Sequence, residues 1–270
     1  MEKIELARDN KILVYKKGYT PRFIQKIITK KKLDGLFIFD HAYPILERIT
    51  DFDFLREFSF LEGLAIATMH DANYKFLKYL PLLKYLALNN QGGTESIDLS
   101  YQNNLEELAI DWRKNIIGIE NCKKIKKLCL IQWKEKDLSF VGNLDNLIEL
   151  KVKTASIKNL HGLENLKLLE NLMFGNCRYL TEIKALNGNT SLKSLEFWSC
   201  SKIEDLGSLD NLPNLERLEF IDCKDIKSIK FIKSFPRLNK LCLNGNTSVL
   251  DGDLKPALGI KDVWYAPKKH

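Results

Sequence analysis

Apolar residues recur along this chain at a nearly constant spacing. The pattern L-x-x-L-x-L, in which Ile, Val, Phe or Tyr can replace Leu, occurs eleven times, and after a first interval of 28 residues its starts lie 20 to 23 residues apart. The starts are Leu33, Leu61, Leu83, Leu105, Ile125, Leu147, Leu169, Leu192, Leu215, Leu238 and Ile260. Because successive side chains of a strand point to opposite faces, the last three letters predict a short strand with one buried face. Repetition at this period predicts a stack of such strands, in which neighbouring repeats bury each other's leucines.

The second repeat can be aligned in two ways. Residues 55–60 also fit the pattern, but a start at Leu61 keeps the spacing of 22 residues to Leu83. We therefore predict a strand after Leu61, which leaves an excess of six residues between the first and second repeats.

The segments that connect the predicted strands follow a pattern of their own. The unit from Leu192 to Ile203 reads L-x-x-L-x-F-x-x-C-x-x-I, and apolar residues then recur at every third position up to Leu215. A step of three favours tight turns or 3₁₀ helices over a full α-helix. The ninth letter should point inward and satisfy backbone groups of neighbouring strands. The ninth letters are Cys177, Cys200, Cys223 and Asn246 in the later repeats, and His41, Met69, Gln91, Arg113, Trp133 and Ala155 in the earlier ones.

These phrases resemble those of the leucine-rich repeat family, and the resemblance covers about residues 33 to 265. The predicted thin connections are similar to those of the bacterial, internalin-like branch of the family. The resemblance implies an α/β fold, a leucine-rich repeat solenoid shaped like a horseshoe, with a parallel concave sheet of about eleven short strands and a convex side of 3₁₀ turns. It also implies that ligands meet the concave sheet at the third, fifth, seventh and eighth letters of each repeat.

Both ends of the predicted stack need caps, because an open end would expose leucines. The predicted domains are an N-terminal cap at residues 1–32, leucine-rich repeats at residues 33–250 and a C-terminal cap at residues 251–270. The first cap should contain a hairpin over residues 2–16 and a short helix that starts after Thr20. The second should contain a last strand at residues 263–265, followed by a basic tail.

The formal net charge of +7 is confined to the predicted N-terminal cap. Residues 1–32 contain ten basic and three acidic side chains, whereas the other 238 residues contain 32 of each kind. A basic surface of this type can approach nucleic acid, an anionic membrane or an acidic protein. We favour a solvated outer face, because lysine outnumbers arginine and no aromatic stacking platform accompanies the basic run. Nucleic acid is therefore not the predicted partner.

The sequence shows no signature of export, membrane spanning or cofactor chemistry. The N-terminus lacks the apolar stretch of a secretory signal, and no run of 18 apolar residues could span a bilayer. The six cysteines then indicate reduced thiols in a cytoplasm. Cys177, Cys200 and Cys223 should form a structural ladder, whereas Cys129 and Cys242 should be more exposed. No C-x-x-C pair, H-E-x-x-H motif or phosphate-binding glycine loop occurs, so we predict no metal and no cofactor.

Two glutamates suggest a catalytic hypothesis that we disfavour. Glu196 and Glu219 hold the same letter in adjacent repeats, which predicts Cβ atoms about 5 Å apart. Retaining glycosidases use paired carboxylates at this separation. Catalysis also requires a cleft that desolvates one carboxylate, and an open sheet offers none. Because Arg217 and Lys240 would neutralise the pair, we predict an interface that recognises basic groups and no enzymatic activity.

The predicted binding surface lies on the later repeats. The exposed letters of the early repeats, such as Gly35, are mostly small and apolar, whereas those of the later repeats combine charges with aromatic anchors. Trp198 should face solvent beside Ile221, and exposed tryptophans often dominate the binding energy of protein interfaces. The predicted partner-binding residues are Trp198, Glu196, Glu219, Ile221, Asp222, Arg217, Lys240 and Met173, with Asp111 and Trp112, near Trp133, as a second candidate group.

These features predict a non-enzymatic, monomeric, cytoplasmic module that captures, scaffolds or inhibits another protein through its concave face. An immunity protein that neutralises a bacterial toxin has this character, by analogy alone. Two alternatives stay open. An effector delivered into a host cell would have the same repeats, and a binder of nucleic acid or of an anionic surface would use the basic cap.

Overall fold

The computed structural model describes residues 5–7, 11–39, 49, 51–69, 72–90, 95–112 and 115–267. The chain divides into two compact units, Met1–Ile125 and Lys126–His270. Both units are built from the predicted repeats.

The described residues of the first unit form short strands and one α-helix. Its strands are β1 (Leu6–Ala7), β2 (Ile12–Val14), β3 (Gly35–Phe39), β4 (Gly63–Thr68), β5 (Tyr85–Asn90), β6 (Ile97–Asp98), β7 (Glu107–Asp111) and β8 (Ile116–Ile117). Strands β1 and β2 pair antiparallel, β2, β3, β4, β5 and β7 then pair parallel in that order, and β6 and β8 form a separate parallel pair. The connections contain the 3₁₀ helices Asp53–Glu57, Lys75–Tyr79 and Ile119–Asn121.

Helix α1 (Pro21–Lys31) starts where the sequence predicts it. The hydroxyl of Thr20 accepts a hydrogen bond of 3.2 Å from the backbone N–H of Phe23, and proline at the first position needs no intrahelical donor. Ile24 is fully buried on one side of the helix, whereas Arg22 and Lys26 are exposed. Phe23, Ile27 and Ile28 are half-buried, so the apolar side of the helix is partly covered and its basic residues face solvent.

The second unit is a regular series of seven parallel strands. They are β9 (Lys127–Ile131), β10 (Glu149–Lys153), β11 (Asn171–Gly175), β12 (Ser194–Trp198), β13 (Arg217–Ile221), β14 (Lys240–Gly245) and β15 (Asp262–Pro267), each paired with the next. The connections contain the 3₁₀ helices Ser139–Asn143, Lys184–Leu186, Leu206–Ser208, Lys230–Ser234 and Lys255–Ala257.

The leucine-rich repeat solenoid predicted from the sequence is confirmed. Each of the eleven pattern starts is followed two residues later by a strand, and β2 adds a further parallel strand. Strand β4 begins at Gly63, so the start at Leu61 is the right alignment, and Leu55 belongs to a 3₁₀ helix instead. The 3₁₀ connections are also confirmed. The boundaries of the two caps at residues 32 and 250 stay a prediction.

Part of the core of the second unit is formed by phenylalanines at the same letter of three adjacent repeats. Phe174, Phe197 and Phe220 are fully buried and stack in series, with ring centroids 5.5 and 5.6 Å apart and interplanar angles of 13° and 9°. Such stacks add to the free energy gained by burying each ring. The stack follows from the strand register, which places these phenylalanines at the same letter of adjacent repeats.

The predicted cysteine ladder is also present in the second unit. The buried thiols of Cys177, Cys200 and Cys223 donate to carbonyl oxygens of the preceding repeat, at 3.6, 3.5 and 3.3 Å. Burial raises the pKa of Cys223 to about 12, so this thiol stays protonated and able to donate at neutral pH. The prediction of a structural role is confirmed.

The ninth letter departs from the prediction in other repeats. Asn246 is exposed, and Thr247 takes the inward position, where its hydroxyl accepts a hydrogen bond of 2.8 Å from Cys223 N. Strand β14 is one residue longer than β13, although the left-handed residue stays at the eighth letter in both repeats, as Asp222 and Gly245. Met69 is also exposed, whereas Trp133 and Ala155 are buried. His41, Gln91 and Arg113 lie outside the described residues.

Two glycines of the first unit allow a close approach of strands that the sequence analysis did not anticipate. Gly35 and Gly63 were predicted at exposed letters, but both are buried. A Cβ atom on Gly35 would lie 2.1 Å from the carbonyl oxygen of Gly63, and one on Gly63 would lie 2.4 Å from that of Asp34. Backbone atoms at these distances leave no room for a side chain.

We expect Gly35→Ala to lower the free energy of unfolding by about 1–3 kcal/mol, because the added methyl group must push two strands apart. Urea unfolding followed by circular dichroism measures the change. Gly207→Ala is the matched control, since the nearest atom to its new Cβ would be a side-chain oxygen at 3.3 Å. Equal stability of Gly35→Ala and the wild type would contradict the close approach.

Candidate functional site

One face of the second unit's sheet carries the third, fifth and seventh letters of its repeats, and we call it the open face. In strand order the third letters are Lys127, Glu149, Asn171, Ser194, Arg217, Lys240 and Asp262. The fifth letters are Cys129, Lys151, Met173, Glu196, Glu219, Cys242 and Trp264. The seventh letters are Ile131, Lys153, Gly175, Trp198, Ile221, Asn244 and Ala266. Seven of the eight residues predicted for the main site lie in these rows, and Asp222 follows directly after Ile221.

Trp198 forms the apolar centre of the open face. Its side chain is exposed at 40%, an unusual exposure for a tryptophan within a sheet. The register places Gly175 on one side of Trp198 and the half-buried Ile221 on the other. Gly175 has no side chain but is itself buried, and the end of the Met173 side chain lies 3.3 Å from where a Cβ of Gly175 would stand. The position of Ile221 beside Trp198 agrees with the prediction from the repeat letters.

Charged side chains of alternating sign lie beside this apolar centre and form what we call the charge network. Arg217 contacts Glu219 Oε1 through Nη2 at 2.9 Å and through Nε at 3.0 Å, and Nε also lies 3.4 Å from Glu196 Oε1. Lys240 Nζ lies 3.6 Å from the same Glu219 oxygen and 3.8 Å from Asp262 Oδ2. The charge network thus runs Glu196, Arg217, Glu219, Lys240 and Asp262.

The central cation of the charge network stays charged. Burial acts against the charged guanidinium of Arg217, but the hydrogen bond to Glu219 and the charges of Glu196 and Glu219 outweigh it and raise the pKa of Arg217. Lys151 lies across β11 from this network and pairs with Glu149, and the hydrogen bond to Glu149 raises the pKa of Lys151. Both basic groups are therefore cations at neutral pH.

A shallow depression of about 260 Å³ lies between these two groups of charges. Its polar lining on β10 is the pair Glu149 and Lys151, and that on β12 and β13 includes Glu196 and Arg217. Strand β11 lies between them and contributes Asn171 and Met173. The volume is below the range of about 300–1,000 Å³ typical of pockets for drug-sized ligands, so a single side chain suits it better.

Two predicted site residues are less accessible than the sequence analysis assumed. The side chain of Glu219 is only 5% exposed, because Arg217 and Lys240 cover it from the same strand and the next. It therefore holds the charge network together and offers little surface to a partner. Asp111, in the second candidate group, is also buried, while Trp112 beside it is half-buried.

Cys242 also differs from expectation, because it was predicted to be exposed, whereas Trp133 points inward as a ninth letter should. Cys242 is buried on the open face, and burial, followed by the negative charge of Glu219, raises the pKa of its thiol. Trp133 turns inward, where its indole N–H donates to the carbonyl of Asp137 at 3.3 Å. Asp222 adopts a left-handed conformation with φ of 51°, and its Oδ1 accepts a hydrogen bond of 3.1 Å from Asn246 N. Asp222 is thus partly occupied in shaping the turn.

Trp264 is a candidate that the sequence analysis missed. It was assigned to the terminal strand alone, yet it is the fifth letter of the last repeat and is 59% exposed. The register pairs Trp264 with Cys242, which in turn pairs with Glu219 on the other side. Its position in the repeat was the signal that could have identified it.

The described part of the chain contains no group of three or more His, Cys, Asp or Glu side chains placed to hold a metal ion. No helix within it is long and apolar enough to cross a membrane. The residues of the open face are suited to binding through apolar burial, hydrogen bonding and ion pairing.

Comparison with known proteins supports a leucine-rich repeat fold. The family model of the leucine-rich repeat domain of endo-β-N-acetylglucosaminidase EndoS matches residues 140–233. No curated protein sequence gives a significant match. The crystal structure of an internalin, InlF from Listeria monocytogenes str. 4b F2365, is similar with a TM-score of 0.57 and 18% identity, covering 88% of this chain and 74% of the internalin. The leucine-rich repeat domain of the type III effector XCV3220 (XopL) also has a TM-score of 0.57, with 17% identity, covering 90% of this chain and 79% of that domain.

The repeats and the strand order are those of a leucine-rich repeat fold, and the family model supports this over residues 140–233. At 17% and 18% identity the two structural likenesses concern the fold. This fold points to a protein-interaction module.

Proposed function

We propose that this protein binds another protein through the open face of its second unit, with Trp198 as the main anchor. The exposed indole of Trp198, placed between Gly175 and the apolar side chain of Ile221, is the observation that carries the proposal. Burying such a side chain in a partner removes a large apolar area from water. Tryptophan is among the residues most enriched at interface hot spots.

The charged residues around Trp198 support recognition of a partner and not catalysis. The charge network beside it is already internally paired, which suits a rim that sets orientation and partner choice. Glu219 Oε1 is held by two cations, and the Glu219 side chain is only 5% exposed. We therefore propose a binding role without catalysis, in which capture, scaffolding or inhibition is the outcome.

Affinity capture from the producing cell, with wild type and Trp198→Ala in parallel, tests the proposal. We expect Trp198→Ala to bind the captured partner at least about 30-fold more weakly, since truncating a hot-spot residue costs about 2 kcal/mol or more. Calorimetry with the purified partner measures the change. Tyr179→Ala is the matched control, because Tyr179 is also an exposed aromatic of the second unit but lies outside the open face, under Lys202.

A partner retained equally by the wild type and Trp198→Ala would contradict the proposed anchor. Capture of nucleic acid, lost at high salt and on neutralising the exposed lysines of α1, would favour the alternative of a basic binding surface. An assay of the captured partner's own activity, with and without this protein, separates a neutralising role from scaffolding. Inhibition at equimolar ratio is the result expected of an immunity protein.

A further inference from the structure

The charge network of the open face has an odd number of members. It begins and ends with a carboxylate, and its three anions, Glu196, Glu219 and Asp262, face two cations, Arg217 and Lys240. The charge network therefore carries a surplus of one negative charge. Each terminal carboxylate has one cation within contact distance, Lys240 for Asp262 and Arg217 for Glu196. Lys151, which is paired with Glu149, also acts electrostatically on Glu196 but from beyond contact distance.

The two ends of the charge network differ in their access to water. The side chain of Asp262 is 62% exposed, so solvent compensates its charge. The side chain of Glu196 is only 18% exposed, and Arg217 approaches it at 3.4 Å while holding Glu219 more closely at 2.9 Å. A carboxylate that is largely removed from water and weakly paired gains most from an additional cation.

The contacts of Glu196 leave one of its oxygens available. Both of its polar contacts within the described chain, with Arg217 Nε and with the Ser194 hydroxyl, reach Oε1. Oε2 has no such contact among the described residues. Glu196 lines the 260 Å³ depression together with Asn171 and Ser194, whose side-chain oxygens can accept further hydrogen bonds.

We propose that this depression is a binding site for an arginine side chain of the partner protein, which rests on the proposed function of the open face. The guanidinium would pair with Glu196, and its remaining N–H groups would reach the acceptors on Asn171 and Ser194. Arginine suits the site better than lysine, because its planar group presents five donors to several acceptors at once. Met173 lines the same depression and offers an apolar surface for the methylene groups of the side chain.

The site can be tested without the partner. Nα-acetyl-arginine methylamide is titrated into the isotope-labelled full-length protein and followed by two-dimensional NMR, beside Nα-acetyl-citrulline methylamide, which has nearly the same shape and no charge. We expect saturable shifts of the amide signals of Asn171 and Ser194 with the arginine compound, and at least tenfold weaker binding of the citrulline compound. Raising the ionic strength should weaken binding of the arginine compound.

Variants of single carboxylates then locate the site. Glu196→Gln should reduce the affinity for the arginine compound at least fivefold, while Glu170→Gln should leave it unchanged. Glu170 is the matched control, because it forms an exposed ion pair with Lys193 at 2.7 Å and does not line the depression. The folded state of each variant is verified by its urea midpoint.

Equal binding of the arginine and citrulline compounds to the wild type would overturn the proposal, and this comparison requires no variant to fold. Shifts that persist in Glu196→Gln would overturn it as well. If Trp198→Ala abolishes partner capture but the arginine compound does not bind, only the arginine site is wrong. If the arginine compound binds at Glu196 but no partner depends on Trp198, the proposed function is wrong and the site holds for a free guanidinium ligand.

Discussion

Phe197→Ala should lower the free energy of unfolding by about 3–5 kcal/mol, which is the range for removing a fully buried phenylalanine ring. Phe197 stacks against Phe174 on one side and Phe220 on the other, so its removal leaves two neighbouring rings without a contact. In a repeat stack each unit is stabilised mainly by its neighbours, and a cavity between two repeats weakens both interfaces. Urea unfolding, followed by far-ultraviolet circular dichroism, measures the shift of the midpoint.

The matched control for Phe197→Ala is Leu168→Ala, since Leu168 is an apolar residue of the same unit with an exposed side chain. We expect this control to stay within about 0.5 kcal/mol of the wild type. A loss of less than about 1 kcal/mol for Phe197→Ala would show that the neighbouring rings close the cavity and that the stack contributes little.

Arg217→Met should destabilise the protein by about 3 kcal/mol, although Arg217 lies on an open face. The substitution keeps much of the aliphatic volume but leaves the buried carboxylate of Glu219 without its closest partner, and breaking a buried ion pair from one side costs about 3–5 kcal/mol. Lys240 Nζ, which lies 3.6 Å from Glu219 Oε1, compensates part of this loss, so we expect a value at the lower end of that range. The same urea unfolding experiment measures it.

The double variant Arg217→Met with Glu219→Gln distinguishes this explanation from a loss of packing. Removing the charge of Glu219 as well should restore more than half of the lost stability, because no uncompensated buried anion remains. Lys193→Met is the control for the loss of an exposed ion pair and should change stability by less than about 1 kcal/mol. A double variant that is no more stable than Arg217→Met would mean that packing of the arginine side chain, and not its charge, is the cause.

The repeat pattern predicts most of this fold because it specifies each strand several times over. Eleven occurrences at nearly the same spacing leave little freedom in register, and they identify the start at Leu61 by comparison with the other repeats. The cysteine ladder and the stacked phenylalanines follow from the same register, since equal letters in adjacent repeats must lie side by side. The ninth letter of the repeat that starts at Leu238 is an exception, because Thr247 and not Asn246 points inward and accepts the hydrogen bond from Cys223 N.

The candidate site is predicted in composition but not in accessibility. The letters of the repeat predict that Glu196, Arg217 and Glu219 share one face, and they do. Whether a side chain on that face meets solvent depends on the lengths and charges of its neighbours on adjacent strands. Glu219 is covered because two long basic side chains reach it, and no repeat letter encodes that difference from Glu196.

The amino-acid sequence by itself therefore determined the class of fold, the register of the strands and the rows of residues that line each face. These depend on a local period and on burial of apolar side chains, both of which can be read along a single chain. Only the tertiary structure decided which of the aligned side chains are exposed, how the charges of the open face pair, and where a weakly compensated carboxylate lines a depression. These properties depend on distances between side chains of different repeats, because burial and Coulomb energy are set by the nearest neighbours in space.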